Sequence, residues 1–296
     1  MRRHPVLLGL LIVVVLIVGF VILVLTFSRL GGKKPTLALG DKIGVVEIKG
    51  VIVSSERIIE QLIGYREDAG VKVIVVRIDS PGGPVVPAEE IHAELIKTRM
   101  EKSVIASLGG VAASGGYYVA SGADAIVASP GTITGSIGVI VQSSNVEGLM
   151  KLIGLKTYTF KSGEHKDLLS PFREPTPADR EIVMGVIQSA HDQFIEVVAQ
   201  GRNMDVADVR KLADGRIFSG RQAKELGLVD QLGNLQDAID LAARMGGITG
   251  KPNVIYPRKR RNIMDFLFEK VIIGLMERMR TLNHRFYYQL TLASSL

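Results

Sequence analysis

The run Leu-Gly-Gly-Val-Ala-Ala-Ser-Gly-Gly-Tyr-Tyr-Val-Ala-Ser, from Leu108 to Ser121, sets one serine, Ser114, between two alanines and two glycines. It continues an apolar stretch, Val104 to Leu108, that reads as a buried strand, and it leads into a helix. Glycine tolerates a tight strand-to-helix turn. A serine at such a turn exposes its hydroxyl, and the first amides of the helix, unpartnered within it, point at whatever binds there. Acyl transfer needs that pairing: a nucleophilic oxygen beside amides that stabilise an oxyanion. A Gly/Ala-rich helix start selected for close packing is the plainer reading of the same string.

Serine is a poor nucleophile until a base takes its proton, and the usual base is histidine backed by a carboxylate. The five histidines (His4, His92, His165, His191 and His284) are scattered, with no HExxH pair. His92 and His191 fall on predicted helices, without glycine-rich loops around them. His165 lies in a loop beside Lys166. Lysine can replace histidine when burial or a neighbour keeps its amine uncharged near working pH. No Ser-x-x-Lys pattern surrounds Ser114, so any Ser/Lys pair must be assembled by folding. Taken alone, Lys166 reads as a solvated loop lysine. There is no cysteine, so disulfides and thiolate metal sites are excluded; no metal and no cofactor are expected.

The positioning elements follow from periodicity. Ile43–Ile48, Val51–Val53, Val71–Ile78, Val104–Leu108, Ala125–Ala128, Ile137–Val141 and Lys156–Phe160 read as strands. The near-continuous apolar run of Val71–Ile78 suits a sheet covered on both faces. Helices are expected over Ser55–Asp68, 87–100, 145–153, 205–212, 220–226 and 235–245. Thr176-Pro177-Ala178-Asp179 supplies an N-cap, a proline at N1 and an acid at N3. The helix it opens runs to about Gln200 with Ile182, Val183, Val186, Ile187, Phe194 and Val198 as its apolar stripe. Asp79-Ser80-Pro81-Gly82-Gly83 is a rigid turn. Tyr117 and Tyr118 are expected to pack, Arg173 and Glu174 to pair, and Asp79, Asp124 and Asp230 to serve strand edges or turns. Strand–helix alternation of this kind defines an α/β domain.

The formal charge of +6 is unevenly spread. Residues 1–34 carry five Lys/Arg and no acids, residues 35–250 carry 22 Lys/Arg against 27 Asp/Glu, and residues 251–296 carry nine against three. An acidic body with basic ends argues against a nucleic-acid partner and for ends that meet anionic lipid. Pro5 to Phe27 is uncharged and apolar; at about 1.5 Å per residue it can cross about 30 Å of hydrocarbon. Without an Ala-x-Ala site it reads as an uncleaved signal anchor. The organisation expected is a cytoplasmic head (1–4), a transmembrane anchor (5–27), a tether (28–40), a catalytic domain (41–250) and a basic amphipathic tail (251–296). The charge bias across the span is weak; a short head before a first helix stays inside, placing the domain outside the cytoplasm. The tail suits either a membrane interface or a neighbouring subunit.

Asp79-Ser80-Pro81-Gly82-Gly83, Ala112-Ala113-Ser114-Gly115-Gly116-Tyr117-Tyr118 and Gly131-Thr-Ile-Thr-Gly-Ser136-Ile-Gly-Val139 together resemble the signal peptide peptidase A family. Ser162-Gly-Glu-His-Lys166-Asp-Leu-Leu-Ser-Pro171 and the string from Asp214 to Asp230 extend the likeness over roughly residues 40–250, in one copy, as in the short form of the family. The resemblance implies a ClpP/crotonase-like layered sheet with flanking helices, preceded by one transmembrane helix. It implies a membrane-anchored serine endopeptidase with Ser114 as nucleophile and Lys166 as general base. Ser136 would orient the lysine, and the Gly83 and Gly115 amides would form the oxyanion hole. Glu164 and Asp167 would point away from Lys166. The implied partners are hydrophobic peptides, chiefly signal peptides left after precursor processing, membrane lipid, and further copies of the chain. Those copies would form an octameric ring in which serine and lysine meet across protomers. Two other readings remain on sequence: a crotonase-like enzyme acting on acyl thioesters, and a non-catalytic envelope scaffold that binds apolar peptides.

Overall fold

The computed structural model describes residues 41–257 and the isolated Gly19. The head, the anchor apart from Gly19, the tether and the tail beyond Pro257 lie outside the described residues. Among the described residues no helix is long and apolar enough to cross a membrane.

Apolar strands of high β-propensity build a sheet of eight strands. They are β1 (Lys42–Lys49), β2 (Val71–Ser80), β3 (Ser103–Ala113), β4 (Ala125–Ala128), β5 (Ile133–Gly135), β6 (Ile217–Ser219), β7 (Gln231–Leu232) and β8 (Asn253–Ile255). The main path runs β6-β5-β3-β2-β1-β8, and β4 branches from β3 to pair with β7. Every pairing is parallel except β5 with β6. Parallel strands require covered faces, and β2 shows it residue by residue. Val73 and Val75 join Ile43, Val45, Ile105 and Val127 on one face, under Ala238, Ile239, Ala242 and Ala243 of α8 (Leu235–Met245). Ile74, Val76 and Ile78 point to the other face. There they meet α1 (Glu56–Glu67), α2 (Val85–Arg99), α3 (Gly115–Ala120) and the C-terminal half of α5 (Pro177–Arg202). Each fully buried Val or Ile contributes roughly 1.5–3 kcal/mol. Three short helices, α4 (Glu147–Leu152), α6 (Val206–Leu212) and α7 (Gly220–Glu225), complete the order.

Several sequence expectations are corrected. Val51–Val53 is not a strand: only Ile52 is buried, and its amide donates to the Gly82 carbonyl at 2.9 Å. The strand expected at Ile137–Val141 falls instead at Ile133–Gly135, because Gly135 (φ +78°) and Ser136 (φ +51°) leave the extended region. Lys156–Phe160 is exposed coil; its apolar residues find no neighbouring strand among the described residues. The stripe of α5 is buried only from Phe194 onward, with Ile182, Met184 and Val186 exposed. Arg173 pairs with Asp167 and Asp179, and meets Glu174 only at its backbone carbonyl. The reading of Thr176 and Asp179 holds: each side chain accepts from the other's amide, a capping box worth about 1 kcal/mol. Strand β8 pairs with β1, which carries the sheet to Ile255, beyond the expected boundary at 250.

Candidate active site

Strand β3 delivers Ser114. Along the β2–β3 ladder Ile78 faces Leu108, but Ser80 faces Ala112, so β3 uses two more residues than β2 over that step. The bulge falls at Gly109–Val111. Asp79 holds it by accepting the Val111 amide at 3.1 Å, and Gly109 leaves room for it: a Cβ there would lie 2.8 Å from the Asp79 side chain. Thr132 and Thr134 clamp the same stretch from beyond, their hydroxyls donating to the carbonyls of Gly109 (2.8 Å) and Ala112 (2.6 Å).

At the end of β3 the chain turns sharply. Ser114 has φ 53° and ψ −125°, a conformation that costs a non-glycine residue about 1–3 kcal/mol. Surrounding bonds enforce it: the Ser114 amide donates to the Gly135 carbonyl at 2.8 Å, and its carbonyl accepts from Tyr118 at 2.9 Å. Helix α3 starts at the next residue. Tyr117 anchors it, fully buried, by donating its hydroxyl to the Leu228 carbonyl at 2.8 Å. Burial pushes that phenol well above its usual range.

The Pro81-Gly82-Gly83 turn passes directly against this corner. Gly82 has φ +98°, and a Cβ there would lie 2.7 Å from the Gly115 nitrogen and 3.0 Å from the Ser114 Cβ. A Cβ on Gly83 would lie 2.4 Å from the Ile52 carbonyl oxygen. The buried Ser80 hydroxyl accepts the Gly82 amide at 3.0 Å and fixes the turn. On the other side, the space a Gly115 Cβ would fill is 3.4 Å from the Gly83 nitrogen. Neither the Gly83 nor the Gly115 amide donates a hydrogen bond among the described residues. The result is a half-buried serine with two unpartnered amides beside it, which is what stabilisation of a developing oxyanion requires.

Ser136 follows the carbonyl that holds Ser114. It is itself at φ 51°, with its amide donating to Arg216 at 2.8 Å. Lys166 is placed differently. It is exposed, in the turn 164–169, and its side chain makes no hydrogen bond or ion pair among the described residues. The fold thus brings Ser114, Gly83, Gly115 and Ser136 to one corner, and among the described residues no amine joins them by a hydrogen bond. The Asp167 carboxylate is engaged by other cations: it accepts from Lys161 at 2.7 Å and from Arg173 at 2.9 and 3.1 Å. Those partners, Arg173 first, hold its carboxyl far below the usual range.

Asp79, Asp124 and Asp230 serve structure, as expected, each accepting a strand amide: Val111, Val104 and Ile126 respectively. Sequence reasoning missed Ile52 and Ser80, which hold the two faces of the glycine turn. Ser80 carried a usable signal, since a serine two residues before a turn amide is well placed to accept from it.

A serine strained into a strand-to-helix corner beside bare amides belongs to hydrolases that pass an acyl group through a serine. Comparison with known proteins narrows the class. Residues 96–248, a span that includes Ser114, Ser136 and Lys166, match peptidase family S49. A Synechocystis protein named as a protease is 44% identical over 208 residues, covering 70% of this chain and 75% of the relative. An Enterococcus faecium protein named signal peptide peptidase SppA is 42% identical over 186 residues, 62% of this chain and 54% of its own length. A Methanocaldococcus jannaschii protein named as a protease is 32% identical over 267 residues, 83% and 86% of the two chains. The chain belongs to peptidase family S49, as a serine peptidase similar to signal peptide peptidase A.

Proposed function

We propose that this peptidase is a membrane-anchored endopeptidase of ClpP/crotonase-like fold that cuts hydrophobic peptides, chiefly signal peptides left after precursor processing, with a Ser114/Lys166 dyad. The observation that carries the reading is the corner itself: Ser114 Oγ on a strained turn with the Gly83 and Gly115 amides free beside it. The Lys166 amine takes the Ser114 proton as Oγ attacks the peptide carbonyl, and the two amides hold the oxyanion. The lysine then gives the proton to the leaving amine, and water repeats the cycle to free the acyl group. Ser136 orients the amine.

Lys166 reaches the serine of a neighbouring protomer in this reading. Two features support it. The amine has no partner within its own chain among the described residues, and the segment around it is studded with exposed apolar side chains, among them Ile140, Leu152, Phe160, Met184 and Val186. Exposed apolar side chains in such number mark an interaction surface, and a neighbouring copy of the chain is the occupant this reading assigns to it. A ring, octameric by resemblance, is the arrangement proposed. The uncharged run Pro5–Phe27 supports a single-pass anchor in the cell membrane, with the head cytoplasmic and the domain outside.

Full-length protein in detergent is treated with a fluorophosphonate probe. Wild type labels and Ser114→Ala does not; labelling of Ser114→Ala overturns the nucleophile. Ser114→Ala and Lys166→Ala are each inactive on a fluorogenic apolar peptide, and co-assembly of the two restores cleavage. Cleavage by Lys166→Ala alone removes the base, and failure of the co-assembled pair places the dyad within one chain. An acyl-thioester enzyme has a precedent only in the fold, and hydrolysis of a thioester without peptide cleavage would favour it.

A further inference from the structure

The geometry points to Arg173 as the positioning residue for Lys166, holding the lysine's turn to the start of α5 and keeping the Asp167 carboxylate occupied so that it does not pair with the amine. The inference rests on Lys166 being the base. A guanidinium carries five N–H donors, and all five of Arg173 are used. Nε donates to Asp167 Oδ2 (3.1 Å), and Nη2 to Asp167 Oδ1 (2.9 Å) and to the Asp167 carbonyl (3.2 Å). Nη1 donates to Asp179 Oδ2 (2.5 Å) and to the Glu174 carbonyl (3.1 Å).

Both ends of that fork matter. Asp167 is the residue after Lys166, so two side-chain bonds and one main-chain bond fix the lysine's own turn. Asp179 is buried and also accepts the Thr176 amide at 2.9 Å, so Arg173 is tied to the cap of α5. Helix α5 is in turn rooted in the core by Phe194, Ile195 and Val198. The turn that carries the exposed amine is thereby tied, through the Arg173 guanidinium, to a helix rooted in the core.

The charges around Lys166 explain why the carboxylate must be held. Its own turn carries Glu164, His165 and Asp167; Lys161 lies just before that turn, Arg173 follows it, and Asp179 sits in the first turn of α5. Lys161 binds Asp167 Oδ1 and the Glu164 carbonyl, and His165 Nδ1 lies 3.7 Å from Asp179 Oδ1. A base has to be uncharged to act, and a free carboxylate one residue away would favour the ammonium. Arg173 and Lys161 occupy that carboxylate. Lysine in place of Arg173 offers three donors on a flexible stem and does not reproduce the fork.

The test is the pH dependence of kcat/KM for a fluorogenic apolar peptide with full-length protein in detergent, beside circular dichroism and the assembled mass. Arg173→Gln moves the acidic limb to higher pH by about one unit, the size a single nearby charge produces. Asp167→Asn, which leaves Arg173 beside an uncharged residue, moves it to lower pH, so the proposal survives if one variant fails to fold. Arg173→Gln/Asp167→Asn returns the limb toward the wild-type position with kcat still reduced. An acidic limb that stays put, or moves the same way in both single variants, overturns the role of Arg173. Activity retained by Lys166→Ala overturns the base itself, a separate result.

Discussion

The amide of Ser114 donates to the carbonyl of Gly135 at 2.8 Å, and that bond ties the strained corner to the last residue of β5. The corner is therefore held by a second strand, at a residue whose own positive φ ends that strand. Strain of about 1–3 kcal/mol at Ser114 is sustained because its neighbours leave it no alternative.

Ser114→Gly separates strain from chemistry. Glycine adopts φ 53° without penalty. Ser114→Gly is expected to abolish probe labelling and to raise stability by about 1 kcal/mol, a rise of roughly 2–4 °C in Tm. Ser114→Ala, which keeps a Cβ, is expected to lose labelling without that gain. Equal Tm values for the two variants would show that the corner is not strained.

Gly82→Ala tests the close approach of the glycine turn. Its methyl would sit 2.7 Å from the Gly115 nitrogen at φ +98°, so the turn has to retreat and take the Gly83 amide with it. A loss of roughly 10² in kcat/KM is expected, with a stability cost of about 1–2 kcal/mol. Unchanged kinetics would remove these amides from the reaction.

Tyr117→Phe removes a hydroxyl that nothing in the chemistry needs. Its bond to the Leu228 carbonyl is buried, so the variant leaves an acceptor unmatched at about 1–3 kcal/mol. Denaturant unfolding is expected to show that loss with kcat/KM nearly intact. A large kinetic defect in a stable variant would give Tyr117 a role at the site.

His92 gives the fold a pH-dependent component. Its ring packs edge-on against Tyr118 at 5.2 Å, and burial lowers its pKa from 6.5 to about 4. The folded protein therefore binds fewer protons than the unfolded chain between those values. Stability falls as pH drops from 6.5 to about 4, by on the order of 2–3 kcal/mol from this group. His92→Phe is expected to flatten urea stability across that window; an unaltered slope would assign it to other groups.

Local signals in the sequence carried much of this architecture. The cap at Thr176, the apolar run of β2 and the Ala-Ala-Ser-Gly-Gly corner announce themselves through propensity and spacing alone. What could not be read depends on partners distant in sequence. A strand at Ile137–Val141 satisfies the apolar pattern, but the left-handed backbone at Gly135 and Ser136 is set by packing on Phe218 and bonding to Arg216. The stripe of α5 is a sound helix pattern whose first half finds no cover within the described residues. Arg173 looked like half of an adjacent pair with Glu174, since reach across a turn to Asp167 and Asp179 has no mark in neighbouring letters.

The bulge opposite Asp79 sets the aim of the whole corner. Side chains along a strand alternate between faces, so an insertion of even length leaves the alternation intact and an odd one reverses it. Two extra residues in β3 lengthen the delivery of Ser114 and keep parity with β2. Deleting either Gly109 or Gly110 would leave the lower half of β3 paired as before while turning everything beyond it half a revolution. The protein could then retain its sheet and present the wrong side of its own backbone to a substrate.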